Sequence, residues 1–296
     1  MRRLRDMLRA SFGQHHLAVA RLALGAYLFV HYVALLPYAA ETFGPGGVLP
    51  SVTLNPAYPH GFTLLGRFDR PGAATLLVAA LAALSLAYLA GLFTRTSAVL
   101  LFVGSHQLFH RNQLTLNPSL SCLGFLLLAH ALFPADPPLS VDRLLARSRP
   151  HREDEDRLPR DLLAVLWIVT AVAYTYSGIT KLESPSWRSG RALSLLLASA
   201  LARDTALVRW VESLPGWSLA ALSWGALLSE LLFAPLALHR RLRPVAWIAL
   251  MIMHAGIVML LDFADISLGM MAFQLFTFDP RWLTATSSRE RGGVAP

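Results

Sequence analysis

What most limits the fold of this chain is a succession of apolar runs, each near the length that crosses a hydrocarbon core. A helix needs about 20 mostly apolar residues to span roughly 30 Å of lipid. Eight candidates fall at residues 17–38, 72–91, 96–112, 119–134, 161–180, 216–238, 243–262 and 264–279. The third, fourth and eighth are short, so they tilt little, sit partly within protein or thin the bilayer. Composition agrees: of 296 residues, 55% are hydrophobic and 15% charged, against about 25% charged in ordinary soluble domains. The runs predict an all-α integral membrane protein, a bundle of about eight transmembrane helices. They form one membrane domain over 1–282, followed by a flexible cytoplasmic tail over 283–296.

A net charge of +8 and an isoelectric point near 10.3 raise nucleic acid as a partner. The basic residues argue against it, because they cluster in short segments between apolar runs, as in cytoplasmic loops. Membrane lipids are the expected partners. With both termini cytoplasmic, the inner segments are 1–16, the turn at Arg95, 135–160, 239–243 and 280–296. They hold seventeen of the 26 basic residues, with eight outside and Arg21 within the first span. The start "MRRLRDMLRASFGQHH" reads as the charged flank of an uncleaved first span. The stretch "RLLARSRPHREDEDRLPR" (143–160) reads as a cytoplasmic linker. Cys122 is alone, so there is no disulfide framework and no cysteine-based metal site.

Two outer segments exceed simple turns. Residues 39–71, with "ETFGPGGVLP", form an ordered cap or a loose loop. Residues 182–215 include "SWRSGRALSLLLASALAR", whose apolar positions recur at helical spacing with arginines at the polar edge. That pattern predicts an extracytoplasmic helix lying in the interface.

Lys181 is the only lysine; the other twenty-five Lys/Arg positions are arginine. The distinction is chemical, since arginine stays protonated in proteins whereas a buried lysine can lose its proton. At the outer end of the fifth span, Lys181 has two readings. It either snorkels to the headgroups or faces a cavity as a general base.

His106 and His110 share one helical face at i, i+4. They are packing residues or two metal ligands without a third, so no metal is expected. The third span runs outward, which brings His110, Arg111 and Asn112 toward the depth of Lys181, around one pocket. Arg111 alternatively binds lipid phosphate. Glu230 and His254 lie well inside spans six and seven, where a lone charge is costly. They are expected to meet as a hydrogen-bonded Glu–His pair, serving as a helix lock or a proton path. His31 and His130 read as packing residues, and Asp262 and Asp265 as caps of the turn between spans seven and eight.

The stretch "YSGITKLESPSWRSG" resembles the motif of the vitamin K-dependent gamma-carboxylase superfamily, in particular its bacterial HTTM (horizontally transferred transmembrane) branch. Tyr174, Ser177, Gly178, Lys181, Leu182, Trp187 and Gly190 carry the match. "GPGGVLP", "HRNQLTLN", "LSVDRLL", "SELLFAPLALHRRLRP" and "MHAGIVMLLDFADISLGMMAF" extend it along the chain in the family's order. The resemblance implies a multi-pass protein of the bacterial inner membrane. Its cosubstrate would be a reduced, vitamin K-like quinone, and its substrate a secreted peptide or protein. Lys181 would be the base that deprotonates the quinol. His110 and Asn112 join Lys181 as candidate catalytic residues. Arg111, Asn117, Tyr174, Trp187, Glu230 and His254 are candidate binding residues. Two departures stand out. The segment Asn117-Pro118-Ser119 lacks the histidine that assists the lysine in the carboxylases, and no stretch corresponds to the animal enzymes' large extracytoplasmic domain. The substrate would then be held by the outer loops or a partner.

Three functional classes follow. The first is an intramembrane enzyme acting through Lys181 on a quinol or lipid-like cosubstrate. The second is a non-catalytic maturation factor or scaffold for a secreted partner. The third is a haem-bearing electron carrier using His31, His106, His130 or His254.

Overall fold

The computed structural model describes residues 14–56, 63–66, 70, 72–115, 117, 119–131, 139–145, 160–279 and 282. The N-terminal flank up to residue 13, linker residues 146–159, Pro118 and the expected tail over 283–296 lie outside the described residues. Among the described residues the chain is helical and forms no strand; one isolated antiparallel bridge joins Ala202 and Leu261. Four helices are long and apolar enough to cross a membrane: Leu17–Phe43, Ala73–Ala90, Ala164–Glu183 and Arg243–Leu260. Ser119–His130 is apolar but shorter. This is the helical make-up of a membrane protein. The chain divides into two compact units, within 13–157 and within 158–296, each described here by itself.

The first unit contains α1 (Gln14–Leu35), α2 (Ala39–Phe43), α3 (Ala73–Ala90), α4 (Thr94–Arg111), α5 (Ser119–Ala131) and α6 (Val141–Leu145). Gly25 lets α1 lie directly on α3, since a Cβ there would stand 2.8 Å from the Leu89 Cα. One turn earlier on α1, the fully buried Arg21 donates to the carbonyls of Tyr88, Leu89 and Leu139 at 2.8, 2.6 and 2.7 Å. The guanidinium thereby satisfies carbonyls that the end of α3 leaves without helical partners. Gly91 closes that helix with a left-handed φ of 69°. The Ser-x-Asp step of "LSVDRLL" acts on the next helix. The Asp142 carboxylate accepts from the backbone N–H groups of Phe93 and Thr94 at 2.7 and 2.8 Å, and from Thr94 Oγ1 at 2.8 Å. An acid from a distant segment thus caps the positive end of α4.

The second unit holds α7 (Arg160–Glu183), α8 (Pro185–Arg188), α9 (Ala192–Leu197), α10 (Ala206–Glu212), α11 (Gly216–Leu231), α12 (Phe233–Leu238), α13 (Arg243–Leu260) and α14 (Ala264–Leu275). The expected span over 216–238 is two helices broken at Leu232. Pro235 supplies the reason: it has no N–H to donate, and its ring crowds the carbonyl four residues back, at Leu231. The single helix expected within 182–215 is instead three short ones, with Gly190 at φ 75° between α8 and α9. Leu197, Val208, Val211 and Leu219 form a small core beneath them. Backbone bonds from Arg203 N to Leu260 O (3.0 Å) and from Asp262 N to Leu201 O (2.7 Å) lace this cap to the end of α13. Asp262 also lies 3.5 Å from Arg203 in an ion pair, while Asp265 sits in the first turn of α14.

Candidate functional site

Lys181 lies in the last turn of α7, and its amine turns into the second unit rather than away along the helix. Nζ donates to Ser177 Oγ at 2.7 Å and to Glu230 Oε2 at 2.6 Å. The Lys181 side chain is 24% exposed and that of Glu230 only 7%. The Trp187 ring covers the ammonium with its centroid 5.3 Å away. Local sequence explains each contact. Ser177 is four residues before Lys181 and so shares its helix face. Gly178 lets α7 and α11 touch at the backbone, because a Cβ there would lie 2.8 Å from Leu231 N. That point of closest approach is one residue from Glu230. The Ser184–Pro185 start of α8 brings Trp187 back over the end of α7.

The expected Glu230–His254 pair does not form. Glu230 bonds to Lys181, and His254 bonds through Nε2 to the Tyr174 hydroxyl at 2.7 Å and through Nδ1 to Ser267 Oγ at 3.1 Å. Sequence depth placed both residues inside their helices, but the close approach at Gly178 turns Glu230 toward α7. Tyr174 is seven residues before Lys181, which is two turns or about 10 Å along the same face. Gln274 Nε2 donates to the Tyr174 hydroxyl. The Tyr174 hydroxyl thus bonds to both Gln274 and His254, and the imidazole joins Tyr174 to Ser267. Tyr174, His254, Ser267 and Gln274 are all buried. Gln274 and Ser267 were not anticipated. Their signal was a polar side chain in an otherwise apolar run, "ISLGMMAFQLF".

The remaining sequence-derived candidates belong to the first unit. Arg111 is 1% exposed and donates to Leu49 O at 2.7 Å and Gly44 O at 2.8 Å. Asn112 Nδ2 donates to Thr42 O at 2.8 Å, and Asn55 Nδ2 donates to His110 O at 2.8 Å. The His-Arg-Asn segment therefore fastens the "GPGGVLP" loop, which is an ordered cap. Asn117 Oδ1 accepts from Ser119 N at 2.9 Å, and its amide donates to Tyr27 OH at 3.1 Å, so it caps the start of α5. A cavity of about 290 Å³ opens within this unit, with His31, His106 and Asn112 among its polar lining and Phe43, Phe102 and Phe109 among its apolar lining. The rings of His106 and His110 are 4.2 Å apart. His110 is buried, with Nδ1 unpartnered. His130 Nδ1 bonds to Tyr88 OH at 2.7 Å. No group of three His, Cys, Asp or Glu residues converges as metal ligands among the described residues.

Compared with known families, residues 12–282 match the HTTM domain. The chain belongs to the HTTM domain family. Neither the curated proteins nor the solved structures compared with it gave a match. Within this HTTM chain, Lys181 and Glu230 are the polar pair with chemical reach. Their nitrogen and carboxylate lie 2.6 Å apart, and a quarter of the lysine side chain is exposed.

Proposed function

We propose that this HTTM protein is an intramembrane enzyme in which Lys181 acts as a base on a quinol or a lipid-like cosubstrate. A peptide or small molecule at the extracytoplasmic face would be the species modified. The supporting observation is the pairing of the chain's sole lysine with Glu230 beneath Trp187. The reading takes the eight apolar helices as crossings of a bacterial inner membrane, both termini as cytoplasmic, and α8–α10 as an interfacial cap on the outer side.

The donor set suits a flat, weakly acidic ring. An indole face offers stacking, an amine accepts a proton, and a carboxylate stores one. A bound quinol supplies an acidic hydroxyl and reducing equivalents. In the resting pair, Lys181 is an ammonium donating to the Glu230 carboxylate. Transfer of that proton to Oε2 leaves a neutral amine, and Nζ then takes the proton of a hydroxyl held under Trp187. Glu230 carries the first proton meanwhile, so total charge is conserved. Ser177 keeps the amine oriented throughout. Tyr174 and His254 form a second hydrogen-bonded layer two turns along α7.

The same ion pair supports the alternative reading, a non-catalytic maturation factor in which Lys181 and Glu230 merely lock α7 to α11. Quinol-dependent oxygen uptake by purified protein in phosphatidylcholine nanodiscs separates the two. Uptake is expected with wild type and absent with Lys181→Ala. Equal uptake by both forms removes the lysine from the chemistry.

A further inference from the structure

The opposite end of α7 meets a second cluster that the lysine chemistry does not use. Trp167 precedes Lys181 by fourteen residues, about 21 Å of helix. Against it lies the turn between α12 and α13, "LHRRLRP" (238–244). His239, Arg240 and Arg241 are exposed, and so are the aliphatic residues Leu238, Leu242 and Val245. Arg243 is different: it is 9% exposed, and its Nε donates to Ala237 O at 2.6 Å. Its guanidinium lies 5.3 Å from the Trp167 ring centroid, and Nη2 has no hydrogen-bond partner. No carboxylate among the described residues is ion-paired to it, although the charge of Asp279 acts on it. The positive end of the α13 dipole adds to this surplus. One turn along α13, Trp247 packs with Phe278 and Trp282 at ring separations of 5.2 to 6.1 Å. Tryptophans grouped beside arginines at a helix end mark the boundary between lipid and water.

We propose that this turn binds the phosphate headgroup of an anionic phospholipid. Arg240 and Arg241 contact the phosphate, and the buried Arg243 adds positive charge behind them. The Trp247–Phe278–Trp282 group meets the glycerol and upper acyl region. Exposed aliphatic residues interleaved with the arginines select a lipid over a free anion, because a soluble phosphate leaves Leu238, Leu242 and Val245 without apolar neighbours. The site stands apart from the reading of Lys181 and holds whether the chain is an enzyme or a scaffold.

The test titrates phosphatidylglycerol into full-length protein in phosphatidylcholine nanodiscs, read by tryptophan fluorescence and by native mass spectrometry of retained lipid. Saturable binding is expected. Each basic residue near a charged surface is worth about a factor of five, so Arg240→Gln with Arg241→Gln should weaken binding about thirtyfold. Arg188→Gln with Arg191→Gln removes the same charge from two exposed positions on the other side of Lys181 and should change it less than about twofold. Equal losses in the two double variants would reduce the effect to overall charge and overturn the site. So would equal retention of phosphatidylcholine, or equal binding of soluble glycerol phosphate.

Discussion

The two units use buried polar side chains in different ways. In the first, the buried Arg21, Arg111 and Asn112 and the half-buried Asp142 bond chiefly to backbone, with the Tyr88–His130 bond an exception. Each satisfies carbonyls or N–H groups that a helix end or a loop leaves open, and none of those backbone groups can change its protonation. In the second, the key bonds run between side chains: Lys181 to Glu230, and Gln274 to Tyr174 to His254 to Ser267. Of these, Lys181, Glu230, Tyr174 and His254 are groups that can give or take a proton, whereas the Gln274 amide cannot. The first pattern builds a scaffold, whereas the second is what chemistry requires, although a helix lock would use it too.

The comparison breaks most sharply at Arg111. Replacing it with Met removes two charge-assisted bonds from a fully buried site and should cost about 4 kcal/mol, read as a shift in the unfolding midpoint in mixed micelles. A variant that keeps its stability but loses oxygen uptake would move Arg111 from fastener to reactive site. Asp142→Ala, which strips the cap from α4, should cost about 2 kcal/mol and leave uptake intact. Tyr174→Phe removes one hydroxyl from the buried chain and should cost about 1 kcal/mol. Its second readout is the ¹⁵N signal of His254, which should shift as Nε2 loses its Tyr174 partner. An unchanged spectrum would mean that the Tyr174–His254 bond does not form.

These contrasts also mark how far the sequence could be read. Each of the eight apolar runs is helical, one of them as two helices, and four helices meet the length and hydropathy of a span. Lys181 was legible as a chemical exception among arginines. Its partner was not. A run of residues gives depth along a helix but not the rotation that selects a neighbour, and the Glu230–His254 expectation rested on depth alone. The missing information was in Gly178, whose small size sets where α7 and α11 touch. Arg111 and Asn112 were placed at the correct helix end. Their bonds to the loop over residues 42–49 were not legible, because that loop is distant in sequence.

Lys181→Arg should have the smallest effect on stability and sharpens the comparison furthest. An arginine keeps the positive charge, still donates to Glu230, and still lies under Trp187. Stability should therefore change by less than about 1 kcal/mol, since only the geometry of one partly exposed pair is altered. A guanidinium does not release its proton in a protein, so quinol-dependent uptake should fall at least a hundredfold, the usual scale for a lost general base. A helix lock predicts the same unchanged stability but full activity in cells. Glu230→Gln completes the argument. The amide still accepts a hydrogen bond from Nζ but cannot store its proton, so a base that depends on that carboxylate loses rate while α7 and α11 stay joined. If Glu230→Gln retains wild-type uptake, Lys181 works without its partner, and proton transfer along the 2.6 Å bond is not part of the reaction.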